Sequence, residues 1–234
     1  MLPFGRDPAA RLLLAGAATA RIDSCEAQLA GLLRSGNALE AQALLGSLQT
    51  LPPLKRAELA GAAFDHADAA VRLAAIPLVA ADPPTAVKTL AGAVGSAARE
   101  VRVAAAQALS GCTAVAEQAA ALLLEAMTRP QFASRDKEER TLFFRSLGKL
   151  GSNGGFTWLS ERLSHRPKKL FGKQKLVDEK LLVVQALAED ASPRALRVLE
   201  DAILPSRGFA APIVAACKAA AQHVRTTYKG GKSA

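Results

Sequence analysis

The amino-acid sequence predicts an all-α fold, and three observations carry that expectation. Ala and Leu supply 51 and 34 of the 234 residues. These are the strongest helix formers, whereas aromatic residues make up only 4% and the β-branched residues that favour strands are scarce. Apolar positions recur at three- and four-residue intervals, the spacing of one helix face rather than of a strand. Proline and glycine fall between the periodic runs, where helices start and stop. Half of the chain is hydrophobic and 22% is charged, which excludes a disordered or collagen-like polymer and leaves a core to bury.

Taken in order, the first expected element is a helix over about 8–33. Arg6 and Arg11 precede Leu12-Leu13-Leu14 and an Ala-rich stretch, the outline of a signal peptide. Asp7 stands in what would be its basic region, however, and the apolar segment is only about nine residues long, which favours an amphipathic capping helix. Five helix pairs follow, at 38–50/53–64, 67–81/83–95, 98–111/113–128, 136–151/154–164 and 176–190/193–204, with a closing helix at 209–227. Asp82 before Pro83 and Ser192 before Pro193 place a capping side chain ahead of a proline at the first helical position, where no backbone N–H is missed. Gly95, Gly111 and Gly151 follow periodic runs, where a left-handed C-terminal cap favours glycine. Pro77 lies inside a periodic run and predicts a kink or an early end. Residues 1–228 read as a single domain, and 229–234 as a disordered tail. The Gly-Gly-Lys-Ser of that tail lacks the strand and following helix that a phosphate-binding loop needs.

Four segments align on a basic residue with an aliphatic one seven positions later: Arg72 to Val79, Arg102 to Leu109, Arg140 to Leu147 and Lys180 to Leu187, in steps of 30, 38 and 40 residues. The repeating unit is a helix hairpin. Asp68-Ala-Ala-Val71-Arg72 and Glu100-Val101-Arg102, each leading into an Ala-rich helix, resemble the Asp-x-x-Val-Arg segment of HEAT repeats, especially the short bacterial kind similar to phycobilisome-lyase HEAT-like repeats. The later units depart from the pattern, Asp136 and Arg140 lacking the valine and Lys180 replacing the arginine. The resemblance spans roughly 38–204 and implies a right-handed α-solenoid of about five stacked hairpins, with second helices lining a concave surface. It also implies a structural ladder of Asp68, Arg72, Arg102, Asp136 and Arg140, read as ion pairs within or between repeats that fix the stacking.

The net charge is +9, and its location matters more than its size. Through Thr128 there are 10 Lys and Arg against 11 Asp and Glu; beyond it there are 20 against 10. Half of that excess lies in 162–180, where Arg162, Arg166, Lys168, Lys169, Lys173, Lys175 and Lys180 face only Asp178 and Glu179. Pro167 and Gly172 break helix there, predicting an exposed basic loop over 165–175 with Leu170 and Phe171 at its centre. Three readings stay open for it: a solvated connector, a docking element for an acidic protein partner with Leu170 and Phe171 as anchors, or a binder of phosphates, nucleic acid included. Arg162, Arg166, Lys168, Lys169, Leu170, Phe171, Lys173 and Lys175 are therefore the candidate partner- or anion-binding residues.

No catalytic set is expected. His66, His165 and His223 are followed by Ala, Arg and Val, not by the glutamates of iron-binding HEAT-like hydroxylases. Trp158 is the lone tryptophan and reads as packing rather than as the base-stacking platform of HEAT-like glycosylases. Cys25, Cys112 and Cys217 are odd in number and lack a CxxC pair, which suggests reduced, buried thiols and no metal site. No apolar run reaches the roughly 18 residues of a membrane span. The expectation is a non-enzymatic, cytoplasmic scaffold of bacterial type with no cofactor, binding protein partners; nucleic-acid or other anionic-ligand binding through the basic half is the alternative.

Overall fold

The computed structural model describes residues 22–165 and 173–230. Among these the chain forms α-helices and short 3-10 turns and no strand, as the Ala and Leu content dictates. It divides into two compact units, 1–112 and 113–234.

The first unit holds α1 (Ile22–Ser35), α2 (Ala38–Ser47), α3 (Pro53–Gly61), α4 (Ala69–Val79), α5 (Pro83–Ala93) and α6 (Arg99–Leu109). The first helices of its pairs, α2, α4 and α6, pack side by side, and α3 lies beside α5. Leu29, Leu33, Leu44, Leu48, Leu90 and Leu109 are fully buried, and Ala41, Ala57, Ala60, Ala75, Ala86 and Ala105 occupy the seams at zero exposure. Small side chains there bring helix axes close while each leucine removed from water contributes about 2 kcal/mol. The second unit holds α7 (Ala116–Thr128), α8 (Lys137–Lys149), α9 (Asn153–Ser164), α10 (Lys173–Asp190), α11 (Pro193–Ile203) and α12 (Ala211–Gly230). Here α8, α10 and α12 are neighbours, as are α7 and α9, and α11 packs on α12. Its core is more aromatic: Phe132, Phe143, Phe144 and Trp158 form a chain of ring contacts at 5.4 to 6.4 Å between centroids.

The expected starts at Asp82 and Ser192 are present. Asp82 Oδ2 accepts the Thr85 N–H at 3.1 Å and Ser192 Oγ the Ala195 N–H at 3.2 Å, with Pro83 and Pro193 opening their helices. The expected left-handed glycine caps are found at only one of three positions. Gly151 has φ of +58°, but Gly95 and Gly111 are not among the positive-φ residues; their N–H groups close tight turns onto the Gly92 and Ala108 carbonyls instead. A left-handed position that the sequence did not announce is Ala191, at φ +50°, directly after α10. Pro77 does not end its helix, which runs on to Val79. The closing helix extends to Gly230, so Lys229 and Gly230 belong to it rather than to a tail; 231–234 and the first part of the opening helix, 8–21, lie outside the described residues.

The seam between α8 and α10 is a close one. A Cβ added at the buried Gly148 would stand 2.0 Å from the Ala186 carbonyl oxygen, a collision with backbone that no rotamer relieves. We expect Gly148→Ala to lower stability by about 2–3 kcal/mol in a urea titration, and Ala191→Gly to raise it by about 1 kcal/mol through relief of left-handed backbone. A silent Gly148→Ala contradicts the seam.

Candidate functional site

The basic segment is built on the end of α9 and the start of α10. Arg162, in the last turn of α9, is 46% exposed, but its Nε lies 2.9 Å from Glu179 Oε1 and its guanidinium 5.2 Å over the Trp158 ring. Trp158 in turn packs 5.8 Å from Phe144, which makes it a piece of the hydrophobic wall. Arg166, Lys168, Lys169, Leu170 and Phe171 lie outside the described residues, as does the side chain of Lys173. The helix begins at Lys173, three residues before the expected 176, so Lys173 and Lys175 stand on its first turn and not in a loop. Gln174 donates a hydrogen bond of 2.9 Å to Asp178 across that first turn. Lys175 is exposed.

Lys180, counted above with the basic segment, is buried at 4% exposure. Its ammonium donates to the Leu163 carbonyl at 2.5 Å, in the last turn of α9, and sits 4.6 Å from the centre of the Phe209 ring. A cation on the carbonyl end of a helix and against an aromatic face is favourable on both counts. This lysine holds the turn together from inside.

The ladder residues act on backbone. Asp68 Oδ1 accepts the Ala70 N–H at 2.7 Å and caps α4, while Arg72 Nη1 donates to the carbonyls of His66 and Ala67 at 2.5 and 2.8 Å. Arg102 repeats the hook thirty residues on, to Ser96 and Ala97 at 2.8 and 2.9 Å. Asp136 caps α8 through the Glu139 N–H at 2.8 Å. Arg140 makes no such hook, and its Nε is buried without an acceptor. Its turn is tied by another pair. Arg135 lies 3.1 Å from Glu139, which is 1% exposed, and its guanidinium stands over the Phe132 and Phe143 rings at 5.3 and 5.4 Å. The i,i+4 spacing of Arg135 and Glu139 was visible in the sequence, but the aromatic enclosure was not.

Within the first unit the turn between α3 and α4 and the turn between α5 and α6 bound a cleft of about 630 Å³, lined among others by Phe64, His66, Arg72, Thr89, Gly92 and Val101. His66 is committed: its Nε2 lies 2.9 Å from the Gly36 carbonyl and its Nδ1 accepts the Asp68 N–H at 3.0 Å. That pattern needs a neutral ring with the proton on Nε2, and it leaves neither nitrogen free for proton transfer. Cys112 and Cys217 are buried; burial raises both thiols, Cys217 to about 11, so both stay protonated and poorly nucleophilic at neutral pH. Among the described residues no three His, Cys, Asp or Glu cluster closely enough to share a metal ion, and no helix is long and apolar enough to cross a membrane.

No protein-family model, curated protein or solved structure matches the chain.

Because Lys180 satisfies a helix end from within, Lys180→Met is expected to cost about 1–3 kcal/mol of stability, the penalty of a buried carbonyl left without a donor. Lys175→Met, on the exposed face, is expected to stay within about 0.5 kcal/mol of the parent. Thermal melts of the two variants check this; equal midpoints contradict the buried role.

Proposed function

We propose that the chain is a non-catalytic scaffold, a HEAT-type α-solenoid of about five hairpins that binds protein partners through the exposed faces of its second helices and the basic segment of 162–180. The observation that carries this reading is the recurrence of one device: Arg72 and Arg102 each hook the carbonyls five and six residues before them, at the same place in successive hairpins. Side-by-side packing of first helices within each unit adds support. Stacked helix hairpins of this kind create an extended surface suited to binding macromolecules.

The second helices carry exposed side chains, among them Lys88, Gln118, Thr157 and Arg197, while Leu73, Gln107, Lys149 and Gln185 are exposed on first helices. Of the described cation side chains in 162–180, Arg162 is paired, Lys180 is buried and Lys175 is exposed. A photo-reactive amino acid placed singly at each of these positions, in cells of the source organism, tests the reading. The expected result is a common adduct from the second-helix set, at least several-fold stronger than from the first-helix set. No adduct at any position, or equal adducts from both sets, contradicts it.

A further inference from the structure

We propose that the cleft of the first unit binds a carboxylate-bearing side chain of a peptide or protein partner, with Arg72 as the anchor. Arg72 is held by two carbonyl oxygens, which position its guanidinium through Nη1 but carry no formal charge. Asp68, four residues before it, accepts the Ala70 N–H with one carboxylate oxygen and forms no ion pair with Arg72. Asp65, also on the cleft, lies 3.6 Å from Arg34. The wall of the cleft therefore carries an immobilised cation whose own neighbourhood supplies no paired carboxylate. A guanidinium fixed in place loses little freedom when it binds, and carboxylate is the anion whose planar geometry it matches.

The rest of the lining favours an organic acid over a bare inorganic ion. Phe64 offers apolar wall for the methylenes of a glutamate, and Thr89 and Ser96 bring hydroxyls. His66 adds no charge, since its neutral ring is fully engaged. Gly92 leaves the surface bare, with nothing within 4 Å of where a Cβ would stand. The volume of about 630 Å³ accommodates a side chain together with its flanking backbone. The inference rests on the protein-binding reading for the source of the acid, but not for the chemistry of the cleft.

The test is an NMR titration of the 15N-labelled full chain with acetyl-Ala-Glu-Leu-amide, with its Gln counterpart, and with inorganic phosphate. The expected result is saturable shifts of the Ala67, Gly92, Ser96 and Ala97 amides with the Glu peptide, at least about tenfold weaker with the Gln peptide. Arg72→Gln should abolish them. Because that change also removes the hook, Gly92→Trp serves as the second variant; it fills the cleft from open space, leaves Arg72 in place, and should abolish the shifts too. Equal response to the Glu and Gln peptides, shifts that persist in Gly92→Trp, phosphate binding as tightly as the Glu peptide, or no shift at these amides each overturns the proposal. A partner captured at the second-helix positions in the absence of peptide shifts would sink the cleft alone and leave the scaffold reading standing.

Discussion

A helix leaves its first N–H groups and last carbonyls without internal partners, and in a chain of many short helices joined by tight turns this constraint governs everything else. Leucine and alanine seams form wherever apolar faces meet, but they do not say where a helix must stop or how closely the next must follow. Here those limits come from side chains reaching to backbone. Asp68, Asp82, Asp136 and Ser192 each accept an N–H of the helix they open. Arg72 and Arg102 donate to the carbonyls of the preceding turn. Lys180 does the same for the end of α9, and Arg194 gathers the Gly151 and Ser152 carbonyls while standing 4.5 Å over the Phe156 ring. Glu117 works from a distance, its two oxygens accepting the N–H groups of Asn153 and Gly154 at 2.6 and 3.1 Å.

This use of charge changes what the net +9 means. Cations engaged on carbonyls or aromatic faces are structural, and the apparent excess around 162–180 overstates what a partner would meet: Lys180 is interior and Arg162 is tied to Glu179 and Trp158. The same logic makes Arg72 interesting, since neutral carbonyls position it without cancelling its charge. Structural use of a charge and its availability to a ligand are separate questions, and each residue answers them differently.

Local features of the fold were legible. Each pair of expected helices is present with ends shifted by a few residues, because proline, Asp and Ser act within one turn of where they stand. Gly95 and Gly111 were misread because glycine after a helix permits a left-handed cap without requiring it, and Ala191 takes that conformation although its side chain disfavours it. Lys180 had a warning in the sequence: it occupies the same register as Arg72 and Arg102, residues that turn back onto preceding carbonyls. Glu117 and Asn153 are 36 residues apart, and nothing local could have joined them. The cleft was invisible for the same reason, since it is made by two turns brought together only when the hairpins pack.

The hooks that close the Arg72 and Arg102 turns are measured most directly by amide hydrogen exchange on Arg72→Met. The His66, Asp68, Ala70 and Arg72 amides, all bonded within that turn, should exchange about tenfold faster than in the parent, as the loss of a charge-assisted hydrogen bond implies. The amides around Arg102 should keep their protection. Unchanged exchange at the Arg72 turn, or a uniform loss across the whole first unit, would contradict the central claim that the Arg72 and Arg102 turns are each closed by their own arginine.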